Sequence, residues 1–291
     1  MDTLEWYFLL IGCILFIIIG FFGNIVSIAI FLSKEFFKQP TTFYLISSLF
    51  LNLISLLYLP VMVFSDIWTA NTISCKILSG FALILAVTQS WVYVFCSVDR
   101  YITTAFPAKL SFKNKQSFQI AVILSCLMIL VGFCIPAVYS YEKFELISSP
   151  LNETYNICIS KLSWARVYFQ YQFLLLRVVI PFIITILASL GTIYTLCSSK
   201  RRIGLSEWEN MKKEVQFAKT LLLMDFLFIL FRLPQVITTA INNDLATYLY
   251  SFNYSAFTLL GSVHNAFIII IFILFNRIYR KLFLKYIFCR K

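Results

Sequence analysis

Seven stretches of this chain are apolar for longer than a soluble domain requires. They cover residues 6–32, 42–64, 74–106, 118–139, 167–197, 214–239 and 247–275. Each has about 20 residues or more, the length a helix needs to cross a hydrocarbon core of about 30 Å. In that core every backbone N–H and C=O must find its partner within the structure, so only helices and closed barrels span it. The stretches are continuous rather than alternating, which selects helices over barrel strands. The expected fold is an all-α membrane protein: a single domain over 1–291 formed by a seven-transmembrane helix bundle, with the sixth helix starting near residue 209. After the seventh span, 276–288 alternates basic residues with Tyr279, Leu282, Phe283, Tyr286 and Ile287, which predicts a short cytoplasmic amphipathic helix on the inner leaflet. Only 13% of the residues are charged, against about a quarter in a soluble domain. The first stretch is expected to be a span rather than a secretory leader, because Asp2 and Glu5 stand where a basic region belongs and Lys34 and Lys38 follow it.

The net charge of +11 sets the expected orientation. Most of the 24 basic residues fall in the connections after spans 1, 3 and 5 and in the tail. Lys76, Lys143, Lys161 and Arg166 alone face the other side, and Arg177 and Arg232 lie within spans. The positive-inside rule then puts the N-terminus outside the cell in a multi-pass plasma-membrane protein. The charge is a membrane-surface signature, worth about 1 kcal/mol per basic residue near anionic headgroups. It does not point to nucleic acid, which would need a soluble basic face.

This topology sorts the cysteines. Cys75, atop the third span, and Cys158, in the loop after the fourth, are the two placed outside, where they can pair in an oxidising compartment or remain two thiols. Cys13, Cys96, Cys126 and Cys134 are intramembrane and read as small apolar fillers. Cys197 falls at the inner end of the fifth span, and Cys289, ending the basic tail, is a palmitoylation candidate or a free cytoplasmic thiol. Asn152-Glu153-Thr154 is a glycosylation sequon in an outward loop. Asn253-Tyr254-Ser255 matches too but is expected inside the seventh helix.

Several motifs stand at fixed offsets. Gly23-Asn24 lies in span 1, and Asn52 precedes Pro60 by eight residues in span 2. Trp68 stands seven residues before Cys75, Asp99-Arg100-Tyr101 ends span 3 and Pro107 follows. Pro181 is in span 5, and Phe228 precedes Pro234 by six in span 6. With this set the chain resembles the rhodopsin-like (class A) G-protein-coupled receptors, of the peptide-receptor type. The resemblance implies a receptor that passes an extracellular ligand's binding to a heterotrimeric G protein through Asp99, Arg100 and Tyr101. The chemistry agrees: Glu214, 20 residues before Pro234, falls about 30 Å below it at the same inner face as Arg100. Arg100 can then bond Asp99 and Glu214 in an inactive-state lock, or Glu214 is a solvated surface charge. Pro181 and Pro234 are expected to act as hinges.

Other positions depart from the family pattern. Asn52 stands where the family usually carries the Asp that binds sodium with neighbours on helices 3 and 7, here Gln89, His264 and Asn265. Arg232 replaces the Trp two residues before the helix 6 proline. Ile268–Phe272 replaces Asn-Pro-x-x-Tyr, aligned by Tyr279 in the place of the next helix's aromatic, and Ser189 replaces the helix 5 Tyr. A charged residue at mid-helix costs about 2.5–3.5 kcal/mol on insertion scales, so Arg232 should face polar partners rather than lipid. Two arrangements satisfy that demand. Arg232 joins a polar core of Asn24, Asn52, Gln89, His264 and Asn265, as a fixed cation in place of sodium. Alternatively it lines a ligand pocket with Arg177 and Trp68 and meets an acidic ligand. Asp225, mid-membrane on the sixth helix, is expected to meet a group on the fifth.

Ala82 stands where amine receptors carry an Asp and Ser262 where opsins carry the retinal Lys, so amines and covalent retinal are disfavoured. Pro60, Trp68 and the loop 146–159 resemble peptide receptors, which makes a neuropeptide the expected ligand. Candidate pocket aromatics are Tyr93, Tyr168, Phe169, Tyr171 and the cluster 248–252, many of which suit an interfacial belt equally. A chemosensory receptor for a small molecule is the alternative. A transporter is less favoured, because neither inverted repeats nor broken half-helix pairs are visible. No enzyme is expected: His264 is the single histidine, and no metalloprotease, nucleophile-elbow or phosphate-loop motif occurs. No cofactor and no metal are expected.

Overall fold

The computed structural model describes residues 3–37, 41–64, 71–106, 116–148, 153–160, 163–199, 205–241 and 252–288. In chain order these form α1 (Thr3–Phe31), one helical turn (Lys34–Phe37), α2 (Thr42–Val63), α3 (Thr72–Ala105) and α4 (Gln116–Ser140). A hairpin follows, β1 (Tyr141–Ser148) and β2 (Glu153–Ser160). Helix α5 is built as Ser163–Leu174, a π-turn at Leu175–Val179 and Ile180–Ser199. Then come α6 (Leu205–Ile241), α7 (Phe252–Phe275) and α8 (Arg277–Phe288). The seven helices α1 to α7 each contain a segment long and apolar enough to cross a membrane.

The loop expected over 146–159 is in fact largely strand. Antiparallel pairing runs from Tyr141↔Ser160 to Ser148↔Glu153 and sets Lys143 opposite Cys158. The chain is thus nearly all helical, with one hairpin added. Helix ends differ from expectation by a few residues, as frayed termini do. Residues 247–251, expected to begin the seventh helix, lie outside the described residues.

The bundle is turned inside out relative to a soluble one. On α1, Ile11, Ile14, Leu15, Ile18, Phe22 and Ile25 are all exposed, while Asn24 and Ser27 are fully buried. In water such an apolar face would be an aggregation hazard; in a bilayer it meets lipid tails. Association then rests on close packing and interhelical hydrogen bonds rather than on the hydrophobic effect. Gly23 shows the packing: a Cβ there would stand 2.8 Å from Ile269 Cγ2 of α7, so only the missing side chain lets these backbones approach. Helices α1, α2, α3, α5, α6 and α7 pack in a closed ring that α1 and α7 complete, and α4 packs outside on α3. Cys13, Cys96 and Cys134 are buried among apolar side chains, whereas Cys197 is exposed.

Local chemistry sets the ends and bends. Asn71 caps α3: its Oδ1 accepts from the Ser74 N–H at 2.8 Å, and Ser74 Oγ accepts from the Asn71 N–H at 3.1 Å. Asn276 breaks the chain between α7 and α8 and caps α8, its Oδ1 accepting from the N–H groups of Ile278 (3.1 Å) and Tyr279 (3.0 Å). Proline explains the π-turn in α5. Pro181 has no N–H to continue the ladder, and the turn before it instead closes from the Ile180 N–H to the Leu175 carbonyl. In that register the Leu176 carbonyl would await Pro181. Trp91 of α3 supplies the missing donor, its indole N–H reaching Leu176 O at 2.9 Å. The proline therefore ties α3 to α5, and the inserted residue carries Arg177 into the buried interior.

Candidate functional site

The N-terminal end of α3 is clamped. Cys75 and Cys158 form a disulfide with Cα atoms 5.5 Å apart, pinning β2 over the bundle, which agrees with the pairing that topology allowed. Tyr58 of α2 donates to Leu78 O of α3 at 2.7 Å beside this clamp. Trp68 and Asn152 lie outside the described residues. Tyr168 turns away from the bundle axis and bonds Phe133 O of α4 at 2.9 Å, and Tyr171 is exposed. Tyr93 is buried and shares a 2.9 Å hydrogen bond with His264 Nε2 across α3 and α7.

Below this level α1, α2, α3 and α7 meet in a chain of side-chain amides. Asn24 Nδ2 donates to Gly20 O (2.7 Å) and to Asn265 O (2.8 Å). Asn52 Nδ2 donates to Asn24 Oδ1 at 3.2 Å. Gln89 Nε2 bridges Asn52 Oδ1 (2.5 Å) and Asn265 Oδ1 (2.8 Å). The side-chain oxygens of Asn24, Asn52 and Asn265 all accept from amide nitrogens of the same cluster, so four helices share one polar knot without a charge.

Arg232 stands outside that knot. It is buried, and its arm lies along α7 at Gly261, where a Cβ would come within 2.9 Å of Arg232 Cδ and 3.3 Å of Nε. Its guanidinium sits over the Phe228 ring at 5.7 Å, a cation–π distance. Arg177 is buried as well and lies within electrostatic range of Arg232. His264, which sequence placed in the polar core, faces Tyr93 and Phe228 and lies within electrostatic range of Arg232. Asp225 meets α3, not α5: Ser97 Oγ donates to its Oδ2 at 3.5 Å. The α6 face that carries Asp225 turns toward the central α3.

At the other end Arg100 is buried at the close of α3, and the hydroxyls of Thr103 (3.1 Å) and Thr104 (2.7 Å) cap its carbonyl. Asp99 and Tyr101 flank it, with the Tyr101 ring against α5 at Gly191, where a Cβ would meet its Cε2 at 2.7 Å. Glu214 falls within α6, but its side chain lies outside the described residues, as do Pro107 and Cys289. A different contact holds α6 there. Gln216 Nε2 donates to Phe275 O at 3.0 Å and Thr220 Oγ1 to the same oxygen at 3.4 Å, so the last carbonyl of α7 is claimed by α6. Pro181 and Pro234 sit inside α5 and α6 above this level.

The family model for seven-transmembrane receptors of the rhodopsin family matches residues 23–275. The chain belongs to that family. No curated protein matches it. In this receptor α8 is anchored by a contact that sequence reasoning passed over. Tyr279 is fully buried, shares a 2.7 Å hydrogen bond with Ser27 of α1 and stacks on Phe272 of α7 at 5.1 Å. Burial pushes its phenol pKa up, so it stays a neutral partner at any physiological pH. The receptor's hairpin was readable from the alternation of Tyr155, Ile157 and Ile159 with polar neighbours and from the turn residues between the strands. The Gln216–Phe275 and Ser97–Asp225 contacts had no local signal, since each joins residues far apart in the chain. Among the described residues no three His, Cys, Asp or Glu side chains gather to hold a metal.

Proposed function

We propose that this receptor sits in the plasma membrane with its N-terminus outside and passes the binding of an extracellular peptide to a heterotrimeric G protein. It does so without catalysing a reaction. The observation that carries the reading is α3 itself, one helix with the Cys75–Cys158 clamp at one end and buried Arg100 at the other. Its 25-residue separation is about 37 Å of helix, a full bilayer. Between these ends α3 contributes Gln89, Tyr93 and Ser97 to contacts with α2, α6 and α7. A ligand under the hairpin that favours one packing of these helices shifts the population of inner-face states. Release of Gln216 and Thr220 from Phe275 would let α6 swing out and uncover Arg100. The β-hairpin favours a peptide, because its edge offers backbone groups that an extended chain can pair with.

The test is nucleotide exchange on purified heterotrimers with the receptor in nanodiscs and a panel of short peptides with free and amidated ends. Peptide-dependent acceleration supports the reading. Solute flux through receptor-containing vesicles, with no exchange on any heterotrimer, would overturn it.

A further inference from the structure

A carboxyl group lies sealed inside the membrane-spanning part of the bundle. Asp225 is 5% exposed and sits seven residues into the α6 span Ala218–Thr239, about 10 Å from the end at which Arg100 closes α3. Among the described residues its one hydrogen bond comes from Ser97 Oγ to Oδ2 at 3.5 Å, longer than the about 2.5–3.0 Å of an O–H···O bond. Its neighbours on α6, Leu221, Met224 and Phe228, pack with Tyr93 and Cys96 of α3 in one buried apolar cluster. The ionisable groups that feel its charge are Tyr93 and Cys96, weak acids that never carry a positive charge. The Tyr93 hydroxyl is already shared with His264 of α7. Asp99 and Arg100, two and three residues past Ser97, act on Cys96. Among the described residues the groups acting on Asp225 include no cation, and neither α5 nor α7, which also pack on α6, contributes one. Arg232 stands seven residues farther along α6, about 10 Å away, and rests over the Phe228 ring. An ionised carboxylate at this place would lack both water and a counter-charge, whereas a neutral acid needs neither.

We propose that Asp225 is a proton-binding site that couples this receptor to pH: its carboxyl holds a proton while α6 packs on α3 and releases it when α6 swings away. The inference rests on the α6 motion proposed above. An opening that uncovers Arg100 also wets the next turn of α3, where Ser97 meets Asp225. There the carboxyl O–H breaks, the proton passes to water, and the carboxylate is left hydrated with the Arg100 guanidinium one helical turn away. A proton needs no cavity, so close packing around the carboxyl is no obstacle to its binding. The sign follows from which state holds the proton. The closed bundle binds one more than the open one, so raising the pH favours the open bundle, by at most about tenfold per pH unit for a single proton. Acid holds the bundle shut.

Two measurements on the full chain in nanodiscs test this. The first needs no G protein. Infrared spectra at neutral pH should show a protonated-carboxyl band, because carboxyls exposed to water are ionised there and do not contribute to it. Asp225→Asn should remove that band and Ser97→Ala should leave it in place. No band in the wild type, or a band that Asp225→Asn leaves untouched, overturns the proposal. The second is ligand-free nucleotide exchange on heterotrimers between about pH 6 and pH 8. Asp225→Asn, neutral at every pH, is the reference that carries the pH dependence of the G protein itself. Relative to it the wild-type rate should climb several-fold per pH unit, and by no more than about tenfold. Parallel pH profiles for the two receptors overturn the proposal as well. Failure of the infrared test with peptide-driven exchange intact removes the proton site alone. The band in place, with no exchange on any heterotrimer, supports the proton site and removes the receptor reading instead.

Discussion

Removing the Gln89 side chain tests whether the amide knot holds the bundle together. Its Nε2 serves Asn52 Oδ1 at 2.5 Å and Asn265 Oδ1 at 2.8 Å, so Gln89→Ala leaves two buried oxygens of α2 and α7 without a donor from α3. In soluble proteins each abandoned buried group costs about 1–3 kcal/mol. Side-chain bonds inside a membrane bundle average about 0.6 and reach about 1.7 kcal/mol, because the lipid-embedded unfolded state finds other partners. Two such bonds therefore amount to about 1–3 kcal/mol. At about 2–4 °C per kcal/mol for a chain of this size, melting should fall by roughly 2–12 °C. A thiol-reactive dye can report it, since Cys13, Cys96 and Cys134 are buried until the bundle opens. The decisive form is a double-mutant cycle with Asn265→Ala, where the shared bond predicts a coupling of about 0.6–1.7 kcal/mol. If the two losses simply add to within about 0.3 kcal/mol, the knot is a set of independent contacts and the reasoning is wrong.

Cys75→Ser opens a cross-link between residues 83 apart, worth at most about 4.5 kcal/mol of chain entropy, and should raise hydrogen exchange in β1 and β2 tenfold or more while α1 and α7 stay protected. Tyr279→Phe deletes the bond to Ser27 and should lower the stability of α8 by about 0.5–1.5 kcal/mol, read as faster exchange over residues 277–288; Ser27→Ala should match it, and the pair together should add little more. Gln216→Ala combined with Thr220→Val frees the Phe275 carbonyl and should raise ligand-free nucleotide exchange severalfold, and an unchanged basal rate would remove that contact from the switching account.

The spans were legible because bilayer length and apolar continuity are one-dimensional properties. Where a span ends also depends on capping, and Asn71 and Asn276 are caps visible in sequence once the boundary is nearly placed. The π-turn was not legible from Pro181 alone. It needs a donor for the orphaned carbonyl, and Trp91 supplies one from a helix more than 80 residues away. The same holds for the candidate site. The identities of Asn24, Asn52, Gln89 and Asn265 announced a polar interior, because uncharged amides in spans must find one another. That Arg232 would stand apart from them depends on Gly261 and Phe228 drawing its arm along α7, a packing choice no spacing rule contains. Asp225 shows the limit most plainly: its helical face pointed inward, yet whether α5 or the central α3 would meet it depended on the arrangement of the whole ring.

Sodium offers a last test of how this interior differs from its family's. The family resemblance puts an acid at the position of Asn52, with a cation held between helices 2, 3 and 7. Here the site has no charge, and the oxygens of Asn24, Asn52 and Asn265 already accept hydrogen bonds from amides. A sodium ion entering would have to break those bonds and would gain no anion in return. Asn52→Asp changes both terms. The carboxylate can still accept from Gln89, but it no longer donates to Asn24, which leaves Asn24 Oδ1 free beside a negative charge. That pair of oxygens is the beginning of a cation site. The melting temperature of Asn52→Asp should therefore rise more in sodium chloride than in choline chloride of equal ionic strength, and that of the wild type should not distinguish the two salts. A sodium-specific rise in the wild type would mean that the knot opens readily and that its amides do not substitute for the ion.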